Sequence, residues 1–211
     1  MFKVLDLFCC AGGAAMGLHM SLDANGMKHT ITGIDKTFQP RYPFNKRVKD
    51  INEMSWMELL EYDFIWASPP CQKYSLLKYV TKKEYPDMIP FTREILEKSG
   101  KPYVMENVEP APLRKDLLLC GEMFGLKIFR HRIFEVNFDI IQPVHYKHKG
   151  SVKHGDYLTL AGSGCGKSGY IDDWQRAIGI NWVRDKHMLA EAVPPAYSCY
   201  IMDNYLNRSR I

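Results

Sequence analysis

At 211 residues, with 46% hydrophobic and 25% charged, the chain has an ordinary globular composition, enough for one domain with a real core and too short for a second full one. No apolar run approaches the roughly 20 residues of a membrane span, and the opening stretch Met1–Phe8 is too short, and at Asp6 too acidic, for a secretion signal, so a cytoplasmic protein is expected. The formal charge of +4 is compatible with a polyanionic partner without requiring one.

Phe2 to Phe8 reads as a short buried strand, followed by a small-residue loop from Cys9 to Ala15 and a helix through Met16, Leu18 and Leu22. Residues 29–34 read as a second strand ending at Asp35, and residues 55–61 as a helix. Tyr62 to Ala67 is a third apolar strand, stopped by Pro69-Pro70. Residues 87–98 look like an amphipathic helix, and Pro102 to Met105 like a strand ending in Glu106-Asn107. A further helix is expected over 116–124 and paired strands near a sheet edge over 127–138. The stretch 139–170, rich in Gly, Lys, His and Ser, reads as loops or an irregular insertion. Alternating strands and helices imply an α/β fold, a mostly parallel sheet covered by helices.

The six cysteines (Cys9, Cys10, Cys71, Cys120, Cys165, Cys199) contain no Cys-x-x-Cys pair, so no zinc or other metal site is expected. Scattered thiols point to a reducing compartment and mostly to packing roles. In open α/β sheets ligands sit beyond the carboxyl ends of the strands, and three motifs fall there. The small-residue loop after Asp6 lets backbone approach a ligand, and Asp35 ends the next strand, where an acid commonly takes ribose hydroxyls. Taken singly, these are equally a tight turn and a solvated helix cap. Ser68-Pro-Pro-Cys-Gln72 holds a cysteine on a stiff turn; on the pentapeptide alone, a packing cysteine is the slightly favoured reading over a nucleophile. Glu106 can face the same cleft as an acid, or simply terminate a strand. Arg130 and Arg132, two apart, would share one face of a strand, as functional groups or as solvated edge charges.

Taken in order, Asp6-Leu-Phe-x-x-x-Gly-Gly13, Pro69-Pro-Cys-Gln72, Glu106-Asn-Val108, Arg130-x-Arg132 and Ala192-Val-Pro-Pro-Ala-Tyr197 resemble the cytosine-5 DNA methyltransferase family, over about residues 3–136 and 174–201. The stretches Gln39–Phe44 and Leu118–Gly125 look like the small phage and prophage members. The resemblance implies a Rossmann-like S-adenosylmethionine-dependent methyltransferase fold with helices on both faces of the sheet. It further implies one domain over 1–211, with 137–173 as a reduced recognition insertion, in a bacterial or phage-infected host cell. The implied reaction moves a methyl group from S-adenosylmethionine, leaving S-adenosylhomocysteine, to C5 of a cytosine flipped out of DNA. Cys71 would attack C6, Glu106 would hold N3 and the amino group, Arg132 would bind the base O2, and Arg130 would support the catalytic loop. Asp6, Phe8, Cys10, Gly12, Gly13 and Pro69 would line the cofactor site; Asp35 would hold the ribose and Asp50 would contact the adenine amino group.

Gln72, Lys73 and Lys78 would meet DNA from a loop over 72–86 that closes on the base, together with Lys82. Lys147, Lys149 and Lys153, with His148 and His154, would contact phosphates, which position DNA without reading its sequence. So short an insertion implies relaxed specificity or a protein partner that supplies it. The resemblance departs from the family at Cys10, where a glycine is usual, at Ile128, where a glutamine is usual, and at Glu191, where an asparagine is usual. Those departures, with the small insertion, leave two alternatives: the same chemistry on RNA or a free cytosine nucleotide, or a catalytically weak DNA-binding regulatory relative. Ala161–Ser168 fits a permissive phosphate-loop pattern after a plausible strand, Tyr157 to Leu160. Gly169 interrupts the helix that should follow and too little chain remains for a nucleotide-triphosphatase sheet, so a flexible DNA-facing loop is the better reading.

Overall fold

The structure, a computed structural model, describes residues 1–75, 84–160 and 169–208; Lys78, Lys82, Cys165 and the Ala161–Ser168 motif lie outside them. Strands β1 (Phe2–Leu7), β2 (His29–Asp35), β3 (Asn45–Val48), β4 (Phe64–Ala67), β5 (Tyr103–Asn107), β6 (Leu117–Leu119) and β7 (Arg132–Val136) form one sheet in the order β3-β2-β1-β4-β5-β7-β6. All neighbours are parallel except β7, which runs antiparallel to both β5 and β6. Among the described residues, no helix is long and apolar enough to cross a membrane.

Strands apolar on both sides require cover on both faces, and the side chains sort accordingly. Val4, Phe64, Trp66, Val104 and Phe134 point to one core, with α1 (Gly13–Ala24) and the last helix, α6 (Pro195–Asn207), laid over them. Leu5, Leu7, Ile65, Ala67, Tyr103, Met105 and Ile133 point the other way, under α2 (Trp56–Leu59) and α3 (Ile89–Ser99). The alternation along β4 and β5 is the period of two that a strand imposes. A third apolar cluster joins α4 (Ile171–Ile178) and α5 (Lys186–Glu191) to Ala11 and Ile128.

Register brings the motifs together. Leu7 lies beside both Ile34 and Ala67, and Ala67 lies beside Met105. The residues that follow each of these (Phe8, Asp35, Ser68 and Glu106) therefore emerge next to one another at one edge of the sheet.

Three expectations change. Residues 116–124 are not a helix: Leu117–Leu119 is an edge strand paired with β7, and only Gly121–Phe124 turns, as a short 3-10 helix. The strand expected over 127–138 begins only at Arg132, because Arg130 takes φ 40°, which an extended strand does not permit. Tyr157–Leu160 is no strand; Leu158 N donates to Lys127 O at 2.8 Å, and Leu158 and Leu160 pack on the third cluster. From 137 to 160 the chain holds no regular element, and a helix begins at Ile171.

Candidate active site

The loop after β1 is strained and tied down. Phe8 and Cys10 take φ 59° and 42°, and Gly12 takes 78°. Positive φ in a residue with a side chain costs energy and persists only where the surroundings enforce it. The enforcement is visible. Asp35 accepts hydrogen bonds from Cys10 N at 3.2 Å and from Thr37 N and Oγ1, both at 3.0 Å, while Trp182 Nε1 donates to Ala11 O at 2.9 Å. Asp6 is buried beneath, its carboxyl accepting from Tyr42 Oη at 3.1 Å; burial first, and the Asp35 charge in addition, push it well above the usual carboxylate range.

Gly12 and Gly13 are small for a reason the sequence did not disclose. A Cβ on Gly12 would stand 2.7 Å from Pro43 Cδ, and one on Gly13 would stand 2.1 Å from Val193 O. Protein, not open cleft, fills the space beside these two glycines. Cys10 packs against the third cluster, and its thiol is pushed up to about 12, first by burial and then by the Glu191 charge.

A carboxylate offers about four acceptor positions, so the three bonds that Asp35 accepts leave room for a hydroxyl. Asp50, just beyond β3, caps the 3-10 turn Ile51–Glu53 through Oδ1, which accepts from Asn52 N at 2.9 Å and Nδ2 at 3.1 Å. Its Oδ2 takes no hydrogen bond among the described residues. Two half-buried acids at the ends of β2 and β3, on the same edge of the sheet as the loop after β1, fit a nucleoside with a ribose and an exocyclic amine.

Cys71 follows Pro69-Pro70 directly beyond β4 and is half-buried. Asn107, buried at the end of β5, donates from Nδ2 to Pro69 O at 2.9 Å and fixes this turn. Asn107 carries no role among the sequence expectations, and its place beside Glu106 in the motif is the signal that points to it. Glu106 is buried and pairs with Arg132, Oε1 to Nε at 2.8 Å. Burial raises the Cys71 thiol above its ordinary value; Arg132 draws it down, Glu106 pushes it up and Arg130 draws it down.

Arg130 and Arg132 do not share a strand face. Arg132 opens β7, whereas Arg130 lies in the strained residue before it, and its Nη2 donates to the carbonyls of Ala190 at 2.6 Å and Ala192 at 2.7 Å. Tyr197 Oη donates to Arg130 O at 2.8 Å. The late motif Ala192–Tyr197 thus clasps the arginine turn, and Arg130 grips that motif in return. Ile128, at the position where the family carries glutamine, is 1% exposed in the third cluster, an environment that favours an apolar side chain.

Of the residues expected to meet DNA, Gln72 is half-buried beside Cys71, and Lys73 is drawn into an ion pair with Asp87 at 3.0 Å. Lys147, Lys149 and Lys153 are all exposed, among the exposed apolar groups Val144, Tyr146 and Val152. One cluster went unforeseen. The ligand atoms of Cys120, His131, His145 and His148 lie within 4.8 Å of one another. The expected absence of a metal site rested on local Cys-x-x-Cys spacing, and this group converges from three separate segments. A surface hollow of about 710 Å³ at Phe2, Lys28 and Asp63 lies at the opposite, amino edge of the sheet, away from Cys71.

Comparison with known proteins follows the same lines. Residues 2–115 match the family described as C-5 cytosine-specific DNA methylase. The type II methyltransferase M.HaeII of Haemophilus aegyptius is 30% identical over 115 residues, 51% of this chain and 35% of that protein. The match thus spans about a third of that relative's length. Among solved structures, the Entamoeba histolytica methyltransferase EhMeth superposes with a TM-score of 0.69 at 13% identity, over 100% of this chain and 99% of that one. A DNMT2 triple mutant from Spodoptera frugiperda gives 0.65 at 12% identity, over 98% and 100%. At such identities these two structures speak for the fold alone.

Proposed function

From the premise that the chain belongs to the C-5 cytosine-specific DNA methylase family, we propose that it methylates C5 of a cytosine flipped out of DNA, with Cys71 as nucleophile. The observation that carries this reading is the Glu106–Arg132 pair, 2.8 Å apart, at the edge where Cys71 emerges. A carboxyl and a guanidinium held side by side match the edge of a cytosine: Glu106 takes N3 and the amino group, and Arg132 takes O2.

Cys71 Sγ attacks C6 as thiolate, and its proton leaves to solvent or a neighbouring base. As negative charge spreads into the ring, Glu106 in its acid form gives a proton to N3 and Arg132 stabilises the charge at O2, so that C5 becomes nucleophilic. When bound, S-adenosylmethionine supplies an electrophilic methyl group to C5 and departs as S-adenosylhomocysteine. Loss of the C5 proton and expulsion of Cys71 then restore the aromatic base. Asp35 would hold the cofactor ribose, Asp50 the adenine amine, and the backbone from Phe8 to Gly13 its methionine end, with Asp6 and Pro69 lining the same site. Lys147, Lys149 and Lys153 supply phosphate contacts, with Gln72 and Lys73 beside the base; so short an insertion goes with relaxed target specificity or with a protein partner that supplies it. The likeness to a type II methyltransferase supports a modification role in a bacterial or phage setting.

The test is trapping on DNA carrying 5-fluorocytosine, which lacks the C5 proton whose loss frees the enzyme. A cofactor-dependent covalent adduct is expected for the native chain and none for Cys71→Ala. An adduct that survives Cys71→Ala overturns the mechanism; methyl transfer to tRNA or dCMP but not to DNA overturns the substrate.

A further inference from the structure

We propose that Cys120, His131, His145 and His148 bind a zinc ion, which fastens the irregular stretch 145–149 to the edge of the catalytic sheet. The site plays no part in the methyl-transfer reading and stands or falls apart from it.

The four donors come from segments held by different means. Cys120 follows β6 and His131 precedes β7, and the two are fixed across the ladder by the Leu119–Arg132 pairing and by Gly121 N donating to Phe129 O at 2.6 Å. His148 is set by Phe129, whose ring stacks on it at 4.1 Å with a 4° tilt. His145 completes the group from the solvent side. Cys120 Sγ lies 3.4 Å from His148 Nε2, and His145 Nε2 lies 2.9 Å from the same atom. With zinc bonds of about 2.0–2.1 Å to nitrogen and 2.3 Å to sulfur, tetrahedral ligand atoms stand about 3.3–3.7 Å apart, so the observed cluster needs only small movements to close on an ion.

Hydrogen bonding alone accounts poorly for this convergence. One shared proton satisfies a single imidazole pair, yet three imidazoles and a thiol meet here. A soft thiolate with three imidazoles selects zinc over calcium or magnesium, and four protein ligands leave no open position, as in a structural site. Glu122 stands beside it, Oε2 3.7 Å from His148 Nε2, while its Oε1 accepts from Tyr157 Oη at 2.7 Å. This carboxylate faces the liganding nitrogen itself, so it places negative charge beside the ion. The two histidines bracket Tyr146 and Lys147, both exposed, so metal binding would hold an aromatic and basic surface in place beside the arginine turn.

The experiment uses the full chain, produced without a histidine tag and purified without chelator. Elemental analysis should find one zinc per chain, and Cys120→Ser and His145→Ala should each lose most of it while keeping the native circular dichroism. Cobalt added to the metal-free protein should give the strong visible bands of a tetrahedral site with a sulfur-to-cobalt charge-transfer band. That band, read on the native sequence, decides the matter if the variants fail to fold. A chain that takes up no stoichiometric zinc, a cobalt spectrum without the thiolate band, or full zinc content in Cys120→Ser overturns the proposal.

Discussion

Cys71 sits between opposing fields, with Arg132 and Arg130 favouring its thiolate while burial and Glu106 oppose it. The balance lies toward the thiol, so alkylation of Cys71, followed peptide by peptide, should titrate above the free-thiol value of about 8.5. Glu106→Gln removes a negative neighbour and should move that titration down, although turnover falls by about 10²–10⁴-fold for want of the group at N3. An upward movement would show that Glu106 does not face Cys71. Cys10 offers a second test at this scale. Its φ of 42° costs about 1–2 kcal/mol in a residue with a side chain, partly offset by the larger unfolded entropy that glycine brings, about 0.5–1 kcal/mol. Loss of the Cys10 side chain's packing on the third cluster takes back part of the remainder, so Cys10→Gly should leave urea stability equal or higher by less than about 1 kcal/mol, while calorimetry shows tighter binding of S-adenosylmethionine. Weaker binding would mean that the thiol contributes a contact.

Among the elements, β7 is the one held most firmly by charge. Glu135 is fully buried; it takes two bonds from Arg93, at 2.9 and 2.8 Å, and one from Arg114 N at 2.9 Å. Burial opposes its ionisation, but these donors win and hold the carboxyl below its ordinary value. A depressed folded value gives stability that is complete above the unfolded value of about 4.3 and is lost as pH falls through the folded one. Glu135→Gln should flatten the acid limb of a stability profile, and Glu135→Ala should cost about 2–3 kcal/mol, the partial exposure of Arg93 softening the loss. An unchanged acid limb would assign the carboxyl no part in acid unfolding. The central strands were legible because parallel strands covered on both faces read as unbroken apolar runs, as Phe64–Ala67 does. Leu117–Leu119 misled because three leucines carry no period, and only pairing with β7 makes them a strand. The cysteine–histidine cluster was illegible for a related reason: sequence spacing reports ligands within one segment, and these come from three. Cys71, Glu106 and Arg132 were singled out by the order of their motifs and not by any one of them, and register brings them to neighbouring strand ends.

On the scale of the whole molecule, the first helix and the last form one unit. A Cβ on Gly17 would stand 1.9 Å from Pro195 O and 2.2 Å from Ser198 Oγ, and Ser198 Oγ also donates to Ala14 O at 2.7 Å. Gly17→Ala should destabilise by about 1–3 kcal/mol, lowering Tm by up to roughly 10 °C for a chain of this size, measured by scanning calorimetry. An unchanged Tm would mean that α6 slides freely against α1. The site shares this dependence, since the loop carrying Phe8 and Cys10 leads into α1, while the motif that clasps Arg130 leads into α6. During synthesis this sets an order. The strands that carry Cys71 and Glu106 can pair as they emerge from the ribosome, but α1 has only the sheet to pack against until residues 193–207 have been made. The loop from Phe8 to Gly13 is therefore the last part of the candidate site to be fixed, and a nascent or truncated chain that stops before α6 would carry Cys71 and Glu106 without it.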